Sequence, residues 1–216
     1  MKAAEGSDIR PQLQTAAGYA PIKRLIDLLG AAVLLVVAFP ILAIALVAVW
    51  ADSGRPLFHR RLVVGMGGRD FDAYKIRTMV VGADQILARD PELRQRFAAS
   101  NKLTADPRTT RVGRRLRRLS IDELPQLVNV LRGEMSLVGP RMLSPDELQE
   151  WGDTVPLLLS VRPGITGAWQ VSGRQQLNKA HRMRMDRDYV LNLSFRNDSI
   201  ILLRTVPAVL SRTGAF

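Results

Sequence analysis

The chain has no cysteine, only two histidines, and few aromatic residues, which make up 6% of its 216 positions. Without cysteine there can be no disulfide, thiolate metal site or cysteine nucleophile, so any catalysis must use oxygen or nitrogen groups. The histidines, His59 and His181, have no partner at metal-ligand spacing. The scarcity of aromatic rings disfavours a nucleic-acid partner, because binding of single strands depends on bases stacked on such rings.

Acidic residues are in the minority. Lysine and arginine number 31 against 20 aspartates and glutamates, giving a net charge of +11. This balance predicts a polyanionic partner, either nucleic acid, anionic lipid or a phosphorylated substrate, and composition alone does not choose among them. The length and the 47% hydrophobic content suit one compact domain together with a membrane element.

Charge is absent from a run of 23 residues, Leu28 to Trp50, which is long enough to cover the ~30 Å core of a bilayer. Pro40, near its centre, lacks an N–H group and predicts a kink or break there. Basic residues flank the run on both sides: Lys23, Arg24, Arg55, Arg60 and Arg61. The positive-inside rule then places both ends in the cytoplasm. The residues fit a re-entrant hairpin and a kinked single span equally well. A signal peptide and a buried core helix fit less well, because the run is long and begins late.

The rest of the chain predicts an α+β fold with short elements. Residues 1–20 are expected to be a mobile tail, 21–52 the membrane hairpin and 53–216 a mostly helical cytosolic domain. The predicted elements are strands at Leu57–Val64 and Asp70–Met79 joined by Gly65–Gly68, a helix at Val80–Ala99, a loop at Asn101–Thr110, helices near Val112–Leu119 and Pro125–Leu131, and a helix at Ser199–Ser211. The last helix fits an interfacial amphipathic helix or one packed on the core. The glycine-rich stretch Gly133–Arg174 is expected to form loops around a site.

Two adjacent carboxylates, Asp122 and Glu123, mark a candidate site. One interpretation is a capping box in which Ser120 is the N-cap and Glu123 lies three residues on. In a second register Pro125 is the first helical residue, and the carboxylates precede the helix and are free to react. Arginines surround the pair in the sequence and would neutralise a diphosphate during attack by a carboxylate. Paired hard oxygen ligands also suit Mg²⁺.

Further candidates are cations near turns or on a strand. Arg141 ends a Gly-Pro-Arg turn and presents a planar guanidinium suited to phosphate oxygens. Lys75 and Arg77 share one strand face by the period of two, so they are expected either to point into one anionic site or to form a solvated basic face. Trp169 fits base stacking or a buried anchor.

These segments together resemble the bacterial sugar transferase family, the monotopic polyprenyl-phosphate phosphoglycosyl transferases. The resemblance covers about residues 20–216. The matching motifs are Lys23–Asp27, Phe39-Pro40, Tyr74–Met79, Asp106–Gly113, Leu119–Asn129, Met135–Arg141, Arg162–Arg174 and Thr205–Leu210. The sequence departs from the family pattern at Leu62-Val63, where Glu-Arg is common, at Ile76 in place of Phe, and at Met142 in place of Pro.

The resemblance implies a re-entrant helix-break-helix with its break at Phe39-Pro40, on the cytoplasmic face of the bacterial inner membrane. It implies a Mg²⁺-dependent reaction in which Asp122 attacks a UDP-sugar, UMP leaves, and polyprenyl phosphate takes the sugar phosphate. Glu123 would assist metal binding or deprotonate the acceptor. Phosphate or substrate binding is implied for the following residues: Lys75, Arg77, Arg117, Pro140, Arg141, Arg162, Gln170 and Arg174. Expected partners are the two substrates and membrane lipid, with a homodimer as a further possibility and no nucleic acid.

A different class of function is a membrane-anchored basic protein that binds polyanions or recruits other proteins without catalysis. The charge favours this alternative. It leaves the Asp122-Glu123 pair without a role.

Overall fold

The computed structural model describes residues 9–100, 106–173 and 178–211. They form a mostly helical α+β fold with two small sheets. The helices are α1 (Ile9–Ser53), α2 (Ala83–Arg89), α3 (Pro91–Ser100), α4 (Arg111–Arg118), α5 (Gln126–Arg132), α6 (Pro145–Gln149), α7 (Val155–Leu158), α8 (Lys179–Leu191) and α9 (Phe195–Leu210). The strands are β1 (Phe58–Val64), β2 (Asp70–Ile76), β3 (Ser136–Val138) and β4 (Gly164–Thr166).

Helix α1 contains the apolar run and begins earlier than the sequence predicts. Residues 9–20 are helical, whereas a mobile tail was expected for residues 1–20; residues 1–8 lie outside the described part of the chain. The alanines and glutamines of this stretch have good helix propensity, which explains the extension. The helix also continues through Pro40, so the expected break at Phe39-Pro40 is not confirmed. Within an otherwise regular apolar helix, the loss of one backbone hydrogen bond is tolerated.

One face of α1 packs on the rest of the chain along most of its length. Ala31, with Leu35 beside it, joins the main core, and Ala45 and Val49 join a second cluster with Ile76 and Leu116. The spacing of three to four residues is that of a helix with one buried stripe. The segment Gly18–Ser53 is long and apolar enough to cross a membrane, and only 17% of its most apolar window is buried. Most of this surface therefore faces outward.

The predicted hairpin is confirmed. Strands β1 and β2 pair antiparallel, from Phe58 opposite Ile76 to Val64 opposite Asp70. The turn between them contains Gly67 and Gly68 at positive φ, a conformation that glycine adopts without strain. Strand β2 ends at Ile76 rather than Met79. Beyond it, the Thr78 carbonyl accepts a hydrogen bond from Thr110, which draws the chain toward α4.

The helices around the hairpin agree with the sequence pattern in part. Helices α4 and α5 lie where two helices were predicted. The single helix expected over Val80–Ala99 is instead two helices, α2 and α3, separated at Asp90 because Pro91 disfavours helical geometry in the residue before it. Helix α9 begins at Phe195, four residues before the predicted start, with the Ser194 side chain as its N-cap.

Candidate active site

The Asp122-Glu123 pair lies in a short 3-10 turn, Ile121–Glu123, ahead of α5. Ser120 has φ 55 and makes no side-chain cap, so the capping-box interpretation is wrong. Pro125 immediately precedes α5 with φ −59, which corresponds to the second register. Both carboxylates are therefore outside the regular helix and are held by a tight turn.

Asp122 is buried, with 6% of its surface exposed. Burial and, second to it, the neighbouring charge of Glu123 raise the pKa of this carboxyl to about 6. The cations Lys75 and Arg117 act against this rise. The result is a carboxyl whose ionisation is poised near neutrality, which is common at catalytic positions.

Two cations complete what we call the carboxylate cluster, made of Lys75, Arg117, Asp122 and Glu123. The Nζ atom of Lys75 donates to Oε1 of Glu123 at 2.6 Å. The Nε atom of Arg117 donates to the Thr78 hydroxyl at 2.7 Å, which holds the guanidinium on the side of β2. The cluster thus joins β2, α4 and the 3-10 turn.

Gly113 explains how α4 comes so close to the end of β2. A Cβ atom at this position would overlap the backbone carbonyl of Thr78, so only glycine allows the approach that brings Arg117 to Thr78. The loop before α4 is fixed by a buried ion pair of Asp106 with Arg108, 2.7 Å apart. The Thr110 side chain caps the helix by accepting from the Gly113 N–H.

Two of the arginines predicted to bind substrate are held by backbone carbonyls. The buried Arg77 guanidinium donates to the Ser53 and Gly54 carbonyls at the end of α1. Arg162 donates through Nε to the Gly133 carbonyl at the end of α5. Cations at helix C-termini satisfy carbonyls that have no partner within the helix. These contacts tie elements together, and neither arginine belongs to the carboxylate cluster.

The Gly139-Pro140-Arg141 turn is fixed by backbone contacts with β4. The N–H of Gly139 donates to the Thr166 carbonyl, and the N–H of Gly164 donates to the carbonyl of the buried Pro140. A Cβ at Gly139 would lie 2.6 Å from the Arg162 carbonyl, so the two segments touch through their backbones. This crossing places the side chain of Arg141 at the surface of the glycine-rich region.

Arg141 belongs to a second group, the indole cluster of Arg141, Trp169, Arg182 and Asp186. Its guanidinium carbon lies 5.7 Å from the centre of the Trp169 ring, and that of Arg182 lies 4.9 Å from it. The backbone N–H of Arg141 donates to Oδ2 of Asp186 at 3.4 Å. Trp169 is 4% exposed, so the interpretation as a buried anchor is the better one.

Sequence reasoning missed Arg182 and Asp186, because α8 was not predicted. Their spacing of four residues places both on one helix face, which was the available signal. Gln170, predicted to bind substrate, donates through Nε2 to the Ile165 carbonyl. Arg174, also predicted, lies outside the described residues.

The described residues contain no group of three or more histidine, aspartate or glutamate side chains suited to a metal. The Asp122-Glu123 pair offers carboxylates from two adjacent positions. Mg²⁺ in phosphate sites is usually held by one or two carboxylates, with substrate phosphates and water supplying the other ligands. The pair fits that kind of site, and a bound cation would offset the mutual repulsion that helps to raise the pKa of Asp122.

The chain is similar to several curated proteins. The chain is 43% identical over 200 residues to a UDP-galactose-lipid carrier transferase of Erwinia amylovora, covering 90% of this chain and 42% of that protein. It is 39% identical over 198 residues to the exopolysaccharide production protein ExoY of Rhizobium meliloti, covering 90% and 88%. It is 38% identical over 202 residues to a UDP-glucose:undecaprenyl-phosphate glucose-1-phosphate transferase of Caulobacter vibrioides, covering 90% and 72%.

The chain therefore spans less than half the length of some curated relatives and most of the length of others. The family model described as bacterial sugar transferase matches residues 18–212, which include most of α1, both clusters and α9. With nine tenths of the sequence covered by relatives near 40% identity, the chain belongs to the bacterial sugar transferase family.

Proposed function

We propose that this chain transfers a sugar 1-phosphate from a UDP-sugar to polyprenyl phosphate, as an early membrane step of polysaccharide synthesis. The observation that carries the proposal is the buried Asp122 carboxyl, paired with Glu123 and opposed by Lys75 and Arg117. The names of the relatives support a sugar phosphate donor and an undecaprenyl phosphate acceptor. The chemistry of the cluster is that of a carboxylate that attacks phosphorus among cations.

In the first step, an oxygen of the Asp122 carboxylate attacks the sugar-bearing phosphorus of the donor. The bond from that phosphorus to the bridging oxygen breaks, and UMP leaves with the electron pair. In the second step, a phosphate oxygen of the polyprenyl phosphate attacks the same phosphorus. The bond to Asp122 then breaks, which yields polyprenyl-diphosphate-sugar and restores the carboxylate.

The residues around Asp122 have separable roles in this scheme. Lys75 and Arg117 stabilise the ionised carboxylate and the negative charge on the transferred phosphoryl group. Glu123 would hold Mg²⁺ together with Asp122, or accept a proton from the acceptor phosphate. When bound, Mg²⁺ would neutralise charge on the donor diphosphate.

The same proposal places the chain on the cytoplasmic face of the inner membrane, with α1 bending near Pro40 within the bilayer so that both of its ends leave by one leaflet. Its support is that both ends of the apolar run contact the same folded domain. Before the run, Lys23 donates to Asp198 on α9. After it, the Ser53 carbonyl accepts from Arg77. A helix that crossed the bilayer completely would separate these contacts by the membrane. The outward-facing middle, with Phe39 67% exposed, would then lie deepest in lipid.

The covalent step is tested by the mass of the intact protein. The purified chain in nanodiscs is incubated with Mg²⁺ and a panel of UDP-sugars, without acceptor lipid. We expect a mass gain of one sugar phosphate, which is lost in Asp122→Asn and kept in Asp188→Asn, a change at an exposed aspartate of α8. If no donor gives an adduct and no UMP is released when polyprenyl phosphate is added, the enzyme proposal fails and a binding or scaffold role is favoured.

Topology is tested separately, and the absence of cysteine makes the test clean. Ala20→Cys and Arg55→Cys each introduce the only thiol, one at each end of the apolar run. In intact cells an impermeant maleimide is expected to leave both unlabelled, and in inside-out vesicles to label both. Labelling of only one of the two variants in either preparation would contradict the re-entrant arrangement.

A further inference from the structure

The indole cluster brings two arginines together without a carboxylate that neutralises both. Arg141 and Arg182 each lie within 6 Å of the centre of the Trp169 ring. The charge of Arg141 lowers the pKa of Arg182, which shows that the guanidinium groups repel each other. Burial contributes more to that lowering than the repulsion does. Two partly exposed cations beside one aromatic ring favour an anion as a third party.

The carboxyl in the cluster is poorly suited to supply that anion. Asp186 is fully buried, and burial raises its pKa to about 7. Its Oδ2 atom accepts from the Arg141 backbone N–H rather than from a guanidinium. The other nearby carboxylate, Glu147, interacts electrostatically with Arg141, but its Oε2 atom accepts hydrogen bonds from Arg61 and from the backbone N–H of Ser144. Neither carboxylate therefore forms an ion pair with Arg141 or Arg182.

Buried polar atoms of the cluster also have no hydrogen-bond partner. They are Nε of Arg182, Nε1 of Trp169 and Oδ1 of Asp186. The Trp169 indole acts to lower the pKa of the Asp186 carboxyl against the effect of burial, yet the two groups do not meet the geometry of a hydrogen bond. An unsatisfied buried polar atom costs free energy and points to a missing ligand or water.

We propose that Arg141 and Arg182 together bind a diphosphate, held beside the Trp169 ring. A diphosphate diester carries one negative charge on each phosphorus and so matches two guanidinium groups, each a planar fork suited to phosphate oxygens. Arg182 is the new element of this site. The identification of the diphosphate as that of the sugar donor rests on the proposed function, whereas the anion-binding chemistry does not.

The site is tested by calorimetric titration of the whole chain in nanodiscs. The Asp122→Asn background is used, so that UDP-glucose and UDP-galactose are bound but not cleaved. Adding Arg182→Gln is expected to weaken binding of the UDP-sugar at least tenfold. Arg182→Lys keeps the charge but loses the planar fork, and is expected to weaken binding less. Arg184→Gln, at an exposed arginine of the same helix, is expected to bind as the background does.

Other probes identify the source of the phosphate. Inorganic phosphate and undecaprenyl phosphate are titrated into the same variants, and only the UDP-sugar is expected to depend strongly on Arg182. Equal affinities in the Arg182→Gln and Arg184→Gln variants would overturn the site. If only the binding of undecaprenyl phosphate depends on Arg182, the diphosphate assignment is overturned. If Arg182→Gln unfolds at the assay temperature, the comparison of Arg182→Lys with Arg184→Gln decides.

The outcome is separable from that of the proposed function. An adduct on Asp122 together with unchanged donor affinity in Arg182→Gln would remove the diphosphate site and leave the enzyme proposal standing. Donor binding that depends on Arg182, without any adduct or UMP release, would keep the site and remove the proposed reaction.

Discussion

The ammonium group of Lys75 donates a 2.6 Å hydrogen bond to Glu123, and both residues act on the ionisation of Asp122 in opposite directions. Glu123 raises the pKa of Asp122 and Lys75 lowers it. Because the proposed attack needs the ionised carboxylate, the rate should fall as the pH drops through the pKa of about 6. The acid side of the pH profile is therefore a readout of this contact.

Replacing Lys75 with Met is expected to move the acid side of the kcat profile to higher pH. Without the ammonium group the pKa of Asp122 rises further, and each pKa unit gained costs about tenfold in rate below the pKa. The profile is measured from UMP release between pH 5 and pH 9. The same substitution at Lys179, an exposed lysine of α8, is the control. An unchanged acid side in Lys75→Met, with lower activity at every pH, would contradict this explanation.

We expect Arg77 to stabilise the fold rather than to bind substrate. Its guanidinium donates to the carbonyls of Ser53 and Gly54, so Arg77→Met is expected to lower the free energy of unfolding by roughly 1.5–3 kcal/mol, the usual value of hydrogen bonds to a charged group. Unfolding is followed by circular dichroism in detergent, with the exposed Arg69→Met as control. Donor affinity of the folded variant should be unchanged. If Arg77→Met instead binds the donor more weakly and keeps its stability, Arg77 has the phosphate-binding role that the resemblance implies.

Gly113→Ala is expected to displace α4, because the new Cβ would overlap the Thr78 carbonyl. Arg117 would then lose its position beside Thr78, and UMP release should fall at least tenfold. Gly18→Ala is the matched control, since a Cβ there meets nothing within 4 Å. Wild-type activity in Gly113→Ala would show that α4 can shift without disturbing the carboxylate cluster.

Asp198 is expected to be a major source of stability. Its two carboxylate oxygens accept from Lys23, Tyr19 and Tyr189. Asp198→Ala leaves the ammonium group partly buried without its closest partner, and loss of one member of a buried pair costs about 3–5 kcal/mol. Thermal unfolding in detergent measures the effect, and Asp188→Ala, at an exposed aspartate of α8, is the control. A loss no larger than that of the control would mean that the contact is dispensable.

The sequence predicted the parts of the site that depend on local order. Asp122 and Glu123 were found because a pair of carboxylates beside a helix-starting proline is recognisable within a few residues. The hairpin that contains Lys75 was predicted from two strand-like segments joined by the glycines of Gly65–Gly68. Such features depend on residues close together in the sequence, so the local sequence pattern predicts them.

The contacts of the arginines could not be predicted from local sequence patterns. The contacts of Arg77 with Ser53, and of Arg162 with Gly133, join residues that are far apart in sequence. A guanidinium suited to phosphate is equally suited to the carbonyls at the end of a helix. Arg182 was missed for a related reason, because its meaning depends on Trp169 and Arg141 arriving from other elements.

The contact between Lys23 and Asp198 joins positions 175 residues apart and has a consequence for synthesis of the chain. At roughly 5–20 residues per second, Lys23 is made about 9–35 seconds before Asp198 exists. Throughout that interval the apolar face of α1 has no α9 to pack against, and the main core is incomplete because it includes Ile201 of α9. A bilayer beside the ribosome would shelter that face during the delay, so the order of events becomes insertion of α1 first and closure of the domain upon it last.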